Sequence, residues 1–145
     1  MAQKRVENRL EQDFLRDPDF HRGLLDSLSD GVYFVDRNRR ILYWSRGAEQ
    51  ISGFDRETVL NNFCHDNLLR HVNAKGQPLC GEEACPLYRS LQTAQTVKED
   101  EVYLHHKNGH RVPVSITCKP WRDEEGNVVG AVEVFHEIQD RKSVV

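Results

Sequence analysis

The chain has 145 residues, of which 38% are hydrophobic and 30% are charged, and its formal net charge is −3. This length suits one domain with its own core, and the apolar content argues against disorder of the whole chain. The slightly negative charge, without a basic block, disfavours nucleic acid as a partner, and no apolar run is long enough to span a bilayer. The first residues form no apolar leader, so we expect a cytoplasmic location.

The N-terminal segment, residues 1–21, is predicted to be a charged helix and linker. Its apolar residues recur four positions apart and form one narrow stripe: Val6, Leu10 and Phe14. The stripe either packs on the domain or pairs with a second chain. Asp17 and Pro18 are expected to end this helix, because the residue before a proline avoids helical backbone. A short second helix is expected near residues 22–27.

Two β-rich apolar runs, 32–35 and 41–44, flank a polar five-residue turn and predict a β-hairpin. Neither run alternates with polar residues, which is typical of strands that are covered on both faces. Ser45 is placed to cap a following helix that Gly53 ends, and Asp55 is placed to cap another.

Residues 61–85 have the composition of an irregular segment, with glycines and a proline between short apolar groups. Pro86 then predicts the start of a helix, because proline is favoured at the first helical position. One side of that helix is apolar: Leu87, Leu91 and Ala94.

The last third of the chain is rich in β-branched residues. Asn108 and Gly109 lie between the runs 102–106 and 111–119, and Asn-Gly in this position is a strong hairpin signal. A second turn leads to a long strand over 128–138. Segregated strands and helices predict an α+β fold, with one five-stranded antiparallel sheet, short helices on one face and an N-terminal helix.

Six stretches of the chain follow one another in a recognisable order: 31–36, 41–45, 53–54, 107–111, 123–130 and 137–142. Together they resemble a PAS domain (PAS/PAC sensor module) over about residues 22–142. The resemblance implies a PAS domain over 22–139, with 140–145 as the start of a C-terminal signalling helix or linker.

This resemblance implies a sensory input module, not an enzyme, and the 145 residues contain no catalytic motif. Bacterial relatives of this kind precede diguanylate cyclase (GGDEF) or histidine kinase domains. We expect a C-terminal diguanylate cyclase as effector, a second copy of the chain as partner, and a small-molecule or redox input. There are two alternatives: a zinc-binding or redox-thiol domain that uses Cys64, Cys80 and Cys85, and a dimerisation module without a ligand. By the family's layout, the expected ligand pocket contains Phe63, Leu69, Leu87, Leu91, Val114 and Ile116.

The end of the last strand departs from the family pattern, which has Asp, an aliphatic residue and Thr. This chain has Glu137, Ile138 and Gln139 at those positions. Glu137 can still accept hydrogen bonds, whereas Gln139 cannot cap the outgoing helix as Thr would. We assign Glu137 and Gln139 to the exit of the signal.

Three of the four cysteines lie in the middle segment, close to a histidine. Thiolate and imidazole suit zinc, and the candidate ligands are Cys64, His71, Cys80 and Cys85.

Two other interpretations of the cysteines stay open. In a redox site, the helix start beside Cys85 lowers the thiol's pKa, and Cys80 or Cys64 resolves a sulfenic acid to a disulfide. Alternatively, Cys64 and Cys85 are buried small apolar residues, and His65 and His71 are surface loop residues.

Flavin and haem are both disfavoured as cofactors. Light-sensing relatives of the PAS family carry a reactive Cys near the place of Cys64, but the polar residues that follow it in their motif are absent from this sequence. Covalent haem attachment lacks its Cys-x-x-Cys-His motif, and the helix that holds the proximal histidine in haem-binding relatives contains none. His105 and His106 are expected to face solvent at a sheet edge.

Overall fold

The computed structural model describes residues 16–64, 68–80 and 84–138. These residues form one five-stranded antiparallel sheet. Its strands are β1 (Gly31–Asp36), β2 (Ile41–Trp44), β3 (Val97–His105), β4 (Arg111–Arg122) and β5 (Val128–Glu137). The spatial order is β2-β1-β5-β4-β3, so the early hairpin joins the late strands through the β1–β5 pair. The predicted α+β class and sheet are confirmed.

Four helices accompany the sheet in the described ranges: α1 (Pro18–Ser27), α2 (Arg46–Ser52), α3 (Arg56–Val59) and α4 (Pro86–Thr93). The caps predicted from the sequence are present. The Ser45 hydroxyl accepts a hydrogen bond from the Ala48 N–H, and the Asp55 carboxylate accepts one from the Thr58 N–H. Gly53 ends α2 in the left-handed region, with φ of 79°.

Two expectations about helix ends need correction. Pro18 begins α1, four residues earlier than predicted, and the Asp17 side chain caps this helix by accepting from the Asp19 N–H. Ala94 does not belong to α4 but follows it as a left-handed C-cap. The apolar stripe of residues 1–15 lies outside the described residues.

Two expectations about strands also need correction. β3 begins at Val97, five residues before the predicted start, and its first half is polar because β3 is an edge strand. β2 forms the other edge, and Leu42 is 53% exposed on it, so this strand is not covered on both faces. Buried and less buried residues alternate along β4, as predicted. The buried positions are Val112, Val114, Ile116 and Cys118.

The core lies between the inner face of the sheet and the helices α2 and α4, which pack against β1 and against β3, β4 and β5 respectively. Tyr33, Trp44 and Phe135 form its aromatic centre, with ring centroids 5.2 to 6.3 Å apart. Such aromatic pairs stabilise a core beyond the area they bury.

The middle segment is tied to the outer edge of the sheet. Val72 exchanges two backbone hydrogen bonds with Tyr103 on β3, of 2.9 and 2.8 Å, and the His105 N–H donates to the Leu69 carbonyl at 2.7 Å. The side chain of Leu69 enters the core. This attachment brings residues 69–80 against β3 and β4.

Candidate functional site

A carboxylate lies in the middle of the apolar core. Glu133 occupies an inward position of β5, between Ala131 and Phe135, and is only 1% exposed. The register of the sheet pairs Glu133 with Tyr33 on β1 and with Cys118 on β4. Three polar side chains on adjacent strands therefore form a row across the inner face of the sheet.

The row is held together by hydrogen bonds to the carboxyl group. The Cys118 thiol donates to Glu133 Oε1 at 3.5 Å. The Tyr33 hydroxyl lies close enough to lower the pKa of Glu133 by hydrogen bonding. Burial outweighs both contacts and raises the pKa of Glu133 to about 7. Tyr33 is itself buried, and its burial, together with the charge of Glu133, raises the pKa of Tyr33 well above its usual value.

His71 faces the other oxygen of this carboxyl group. Its Nε2 lies 3.8 Å from Glu133 Oε2, which is too long for a hydrogen bond, and neither atom has a hydrogen-bond partner among the described residues. Burial, and then the charge of His105, lower the pKa of His71 to about 4, so the imidazole is neutral near pH 7. Buried polar atoms without partners are costly, so a water, an ion or a ligand that bonds to them is stabilising.

The four cysteines in the chain are free thiols, and three of them, Cys64, Cys80 and Cys118, lie near enough to Glu133 for its charge to act on them. Burial raises the pKa of Cys80 to about 11 and raises the pKa values of Cys64 and Cys118 well above their usual value, and the nearby charges of Cys85 and Glu133 add to each shift. These protonated thiols are poor nucleophiles near neutral pH. Within the described ranges, no three His, Cys, Asp or Glu side chains are arranged to hold a metal ion.

A cavity of about 350 Å³ opens beside His71, between the middle segment and the edge of the sheet. We call it the loop cavity; its lining residues are Arg70, His71, Val72, Pro78, Cys80, His105 and Arg111. The His105 ring Nδ1 lies 2.8 Å from the Arg70 carbonyl, to which it can donate. In the described part of the chain, two guanidinium groups and two imidazoles line this cavity, and no carboxylate does.

Comparison with known proteins identifies the family. A family model described as the PAS fold matches residues 25–143. The chain belongs to the PAS fold family. Domains of this family are sensory modules of signalling proteins, where they commonly dimerise and are joined to effector domains.

Solved structures agree on the fold. A PAS domain from Colwellia psychrerythraea is 21% identical, with 82% of this chain and 94% of that chain covered and a TM-score of 0.67. The PAS domain of nitrogen regulation protein NR(II) from Vibrio parahaemolyticus is 13% identical, with coverage of 81% and 96% and a TM-score of 0.63.

A third similar structure is the Vibrio cholerae VqmA dimer, a LuxR-type receptor studied in the absence of its target DNA. It is 19% identical, with 81% of this chain but only 51% of that chain covered, and a TM-score of 0.64; VqmA has also been solved bound to DPO. No curated protein matches the chain. None of the helices in the described ranges is long and apolar enough to cross a bilayer.

The pocket residues expected for this PAS domain lie in or near the core. Five of them are packed in the buried cluster: Leu69, Leu87, Leu91, Val114 and Ile116. Phe63 is half-buried, and its backbone bridges to Arg40. None of the six lines the loop cavity, so their contact with a ligand stays a prediction.

The expected metal or redox residues are distributed differently. His71 and Cys80 line the loop cavity, Cys85 is buried at the N-cap of α4, and Cys64 is half-buried. The interpretation of His71 as a surface residue is wrong, since it is 7% exposed. Of the residues assigned to the signal exit, Glu137 ends β5 and is exposed, while Gln139 lies outside the described residues.

Sequence reasoning missed the row of Tyr33, Glu133 and Cys118. One signal was present: Glu133 interrupts the apolar alternation of 131–135, and a charge at such a position is rarely buried without a reason. His105 was expected to face solvent, but it is half-buried and lines the loop cavity.

Proposed function

We propose that this PAS domain is the sensory input module of a signal-transduction protein. It recognises a small molecule beside His71 and Glu133 and passes the signal along β5 to an effector. The observation that carries the proposal is the pair of buried atoms without partners, His71 Nε2 and Glu133 Oε2. A ligand or a proton that satisfies these atoms releases free energy in the bound state only.

The place of Glu133 in the sheet supports the route of the signal. β5 lies between β1 and β4, and Glu133 is four residues from Glu137, the last residue of the strand. A change in the charge or hydrogen bonding of Glu133 therefore acts on the strand that leads out of the domain. We expect β5 to have two arrangements in equilibrium. The ligand shifts this equilibrium only to the extent that it binds one arrangement more tightly than the other.

We propose a diguanylate cyclase as the effector. A direct test joins the chain to such a domain and compares cyclic diguanylate production by the parent, Glu133→Gln and Glu101→Gln. Glu101 is an exposed residue of β3 and serves as the matched control. We expect the Glu133 variant alone to change output, because it removes the buried carboxyl group of β5. Equal output from all three proteins would reject the route through β5.

Self-association is the second part of the proposal. Trp121 is 46% exposed on the sheet and packs edge-on against Phe34, with ring centroids 4.8 Å apart, so apolar surface is open to a second copy. The N-terminal stripe is the other candidate contact. Sedimentation of the chain with and without residues 1–20 separates them: a monomer after truncation identifies the stripe, whereas an unchanged dimer excludes it. A monomeric parent chain rejects dimerisation by this module.

A soft metal ion is the second candidate input, and binding it would require thiols of the middle segment to move together, because the described ranges hold no preformed group of three ligands. Cys64, Cys80 and Cys85 are near enough to one another for their charges to raise the pKa values of Cys64 and Cys80. Metal binding deprotonates thiols, so raised pKa values do not prevent it. Native mass spectrometry detects a bound ion directly. Thiol titration with and without a chelator then tests its ligands: three thiols released by the chelator support the site, and full reactivity without it excludes the site.

A further inference from the structure

The loop cavity carries charge of one sign. Arg70 and Arg111 line it with exposed side chains, and neither forms an ion pair with a residue in the ranges 16–64, 68–80 and 84–138. A guanidinium group is always charged, and its planar fork matches the geometry of a carboxylate or a phosphate. Two such groups beside one concave surface, without a carboxylate to neutralise them, attract an anion.

The walls of the loop cavity are built by ordered local structure. The Asn73 side chain accepts from the N–H groups of Lys75 and Gln77, both at 2.9 Å, and so closes the tip of the loop. Gly76, with φ of 77°, lies beside the Arg111 guanidinium. The Arg70 carbonyl is within hydrogen-bond distance of His105 Nδ1. These contacts order the backbone of the loop that carries Arg70 and that lies beside Arg111.

We infer that the loop cavity binds a small anion with a carboxylate or phosphate group, which Arg70 and Arg111 hold at its charged end and His71 contacts at the inner wall. A volume of about 350 Å³ suits a metabolite-sized molecule. Val72 and Pro78 supply apolar surface for the rest of the ligand. The claim that this anion is the signal of the module rests on the proposed sensory function. Binding of the anion to the chain can be measured independently of that function.

The anion has a direct route to the buried carboxylate. His71 separates the cavity from Glu133, and it is also faced by His105 from β3 and by Cys80. An anion in the cavity favours the imidazolium form of His71, which takes one proton from solvent. The charge attraction draws the new Nε2–H toward Glu133 Oε2, and once the 3.8 Å between the two atoms shortens to hydrogen-bond distance, both atoms without partners become satisfied. Binding outside the core thereby changes the state of β5.

The experiment is an NMR titration of the ¹⁵N-labelled chain at low ionic strength with succinate, with inorganic phosphate and with chloride. We expect saturable shifts of the amides around the cavity, such as Cys80, His105 and Arg111, with succinate or phosphate but not with chloride. Arg111→Gln and Arg70→Gln should each weaken binding about tenfold, the value for one lost charged hydrogen bond. Arg22→Gln, an exposed arginine on α1, is the matched control and should leave the affinity unchanged.

Three results would overturn the inference: shifts that chloride reproduces, shifts that do not saturate, or equal weakening by Arg22→Gln. The ring resonances of His71 give a second readout, and its pKa should rise when the binding anion is present. If no anion binds but Glu133→Gln changes the cyclase output, the anion site is rejected and the sensory function is retained. If an anion binds but Glu133→Gln leaves the cyclase output unchanged, the sensory route is rejected and the anion site is retained.

Discussion

At the scale of single residues, Glu133 and His71 have opposite effects on stability as pH changes. The pKa of Glu133 is raised from 4.5 to about 7, so the free energy of unfolding falls as pH rises through this window. The pKa of His71 is lowered from 6.5 to about 4, so the free energy of unfolding falls as pH drops through that window. Where the two windows overlap, the two slopes oppose each other and stability varies little.

Glu133→Gln should therefore change the pH profile of stability. The variant keeps an oxygen to accept from Tyr33 and Cys118 but cannot ionise. At pH 8 the free energy of unfolding of the variant should exceed that of the parent by up to roughly 3 kcal/mol. As pH drops below 6.5, the free energy of unfolding of the variant should decrease because His71 is protonated on unfolding, without the opposing effect of Glu133. Urea denaturation from pH 4 to pH 8 measures this, with Glu101→Gln as control. Parallel profiles for the parent and the Glu133→Gln variant would contradict the assignment.

Two glycines offer a matched pair of residue-scale substitutions. A Cβ at Gly47 would lie 2.1 Å from the Asp30 carbonyl oxygen, a backbone atom, whereas a Cβ at Gly23 in α1 meets nothing within 4 Å. Gly47→Ala should destabilise the domain by about 2 kcal/mol through forced backbone movement. Gly23→Ala should stabilise it by about 0.5–1 kcal/mol through helix propensity. Thermal unfolding that moves in the same direction for both variants would refute this packing.

At the scale of elements, α1 is joined to the domain by Asp26. Its carboxylate accepts from the Tyr43 hydroxyl at 2.8 Å, the Arg46 N–H at 3.1 Å and the Arg56 guanidinium at 2.9 Å. Burial by itself raises the pKa of Asp26, but these hydrogen bonds outweigh it, and the pKa lies below its usual value. The stabilisation is thus present above pH 3.8 and is lost as pH falls through the lowered pKa.

Asp26→Asn should loosen α1 from the sheet, because the charge that holds three donors is gone. We expect a loss of about 2 kcal/mol at pH 7, the range for hydrogen bonds to a charged group, and faster amide exchange in α1. The difference in free energy of unfolding between this variant and the parent should shrink as pH falls below 3.8, because Asp26 of the parent is then protonated. Asp19→Asn, in the first turn of the same helix, is the control for hydrogen-exchange mass spectrometry. Unchanged exchange in α1 would show that other contacts hold the helix.

At the scale of the whole molecule, the thiols report how the domain opens. Cys118 is 0% exposed on β4, which is paired on both sides, so its alkylation requires the sheet to open. Cys80 is half-buried at the loop cavity and requires only the loop to move. Timed alkylation followed by peptide mass spectrometry should modify Cys80 first and Cys118 last. In denaturant all four cysteines should react together. Equal native rates would mean that loop and sheet open as one unit.

The helix caps, one hairpin turn and the buried face of β4 could be predicted from short stretches of the sequence. Ser45, Gly53 and Asp55 were identified as helix caps, and Asn108 with Gly109 as a hairpin turn, because these residue types satisfy or adopt particular backbone conformations at short range. The apolar alternation of β4 follows from the period of a strand. The polar start of β3 carried no such period, so it was not identified.

The site depended on contacts that only the tertiary structure decides. Glu133 stands out in the sequence as one charge in an apolar strand, but nothing local pairs it with Tyr33 and Cys118; the register of β1, β5 and β4 does. Arg70, His105 and Arg111 belong to a loop and two strands, and they share a cavity only because residues 69–80 bind along β3. Local sequence encodes backbone preference, whereas the meeting of distant polar groups is set by strand pairing and core packing.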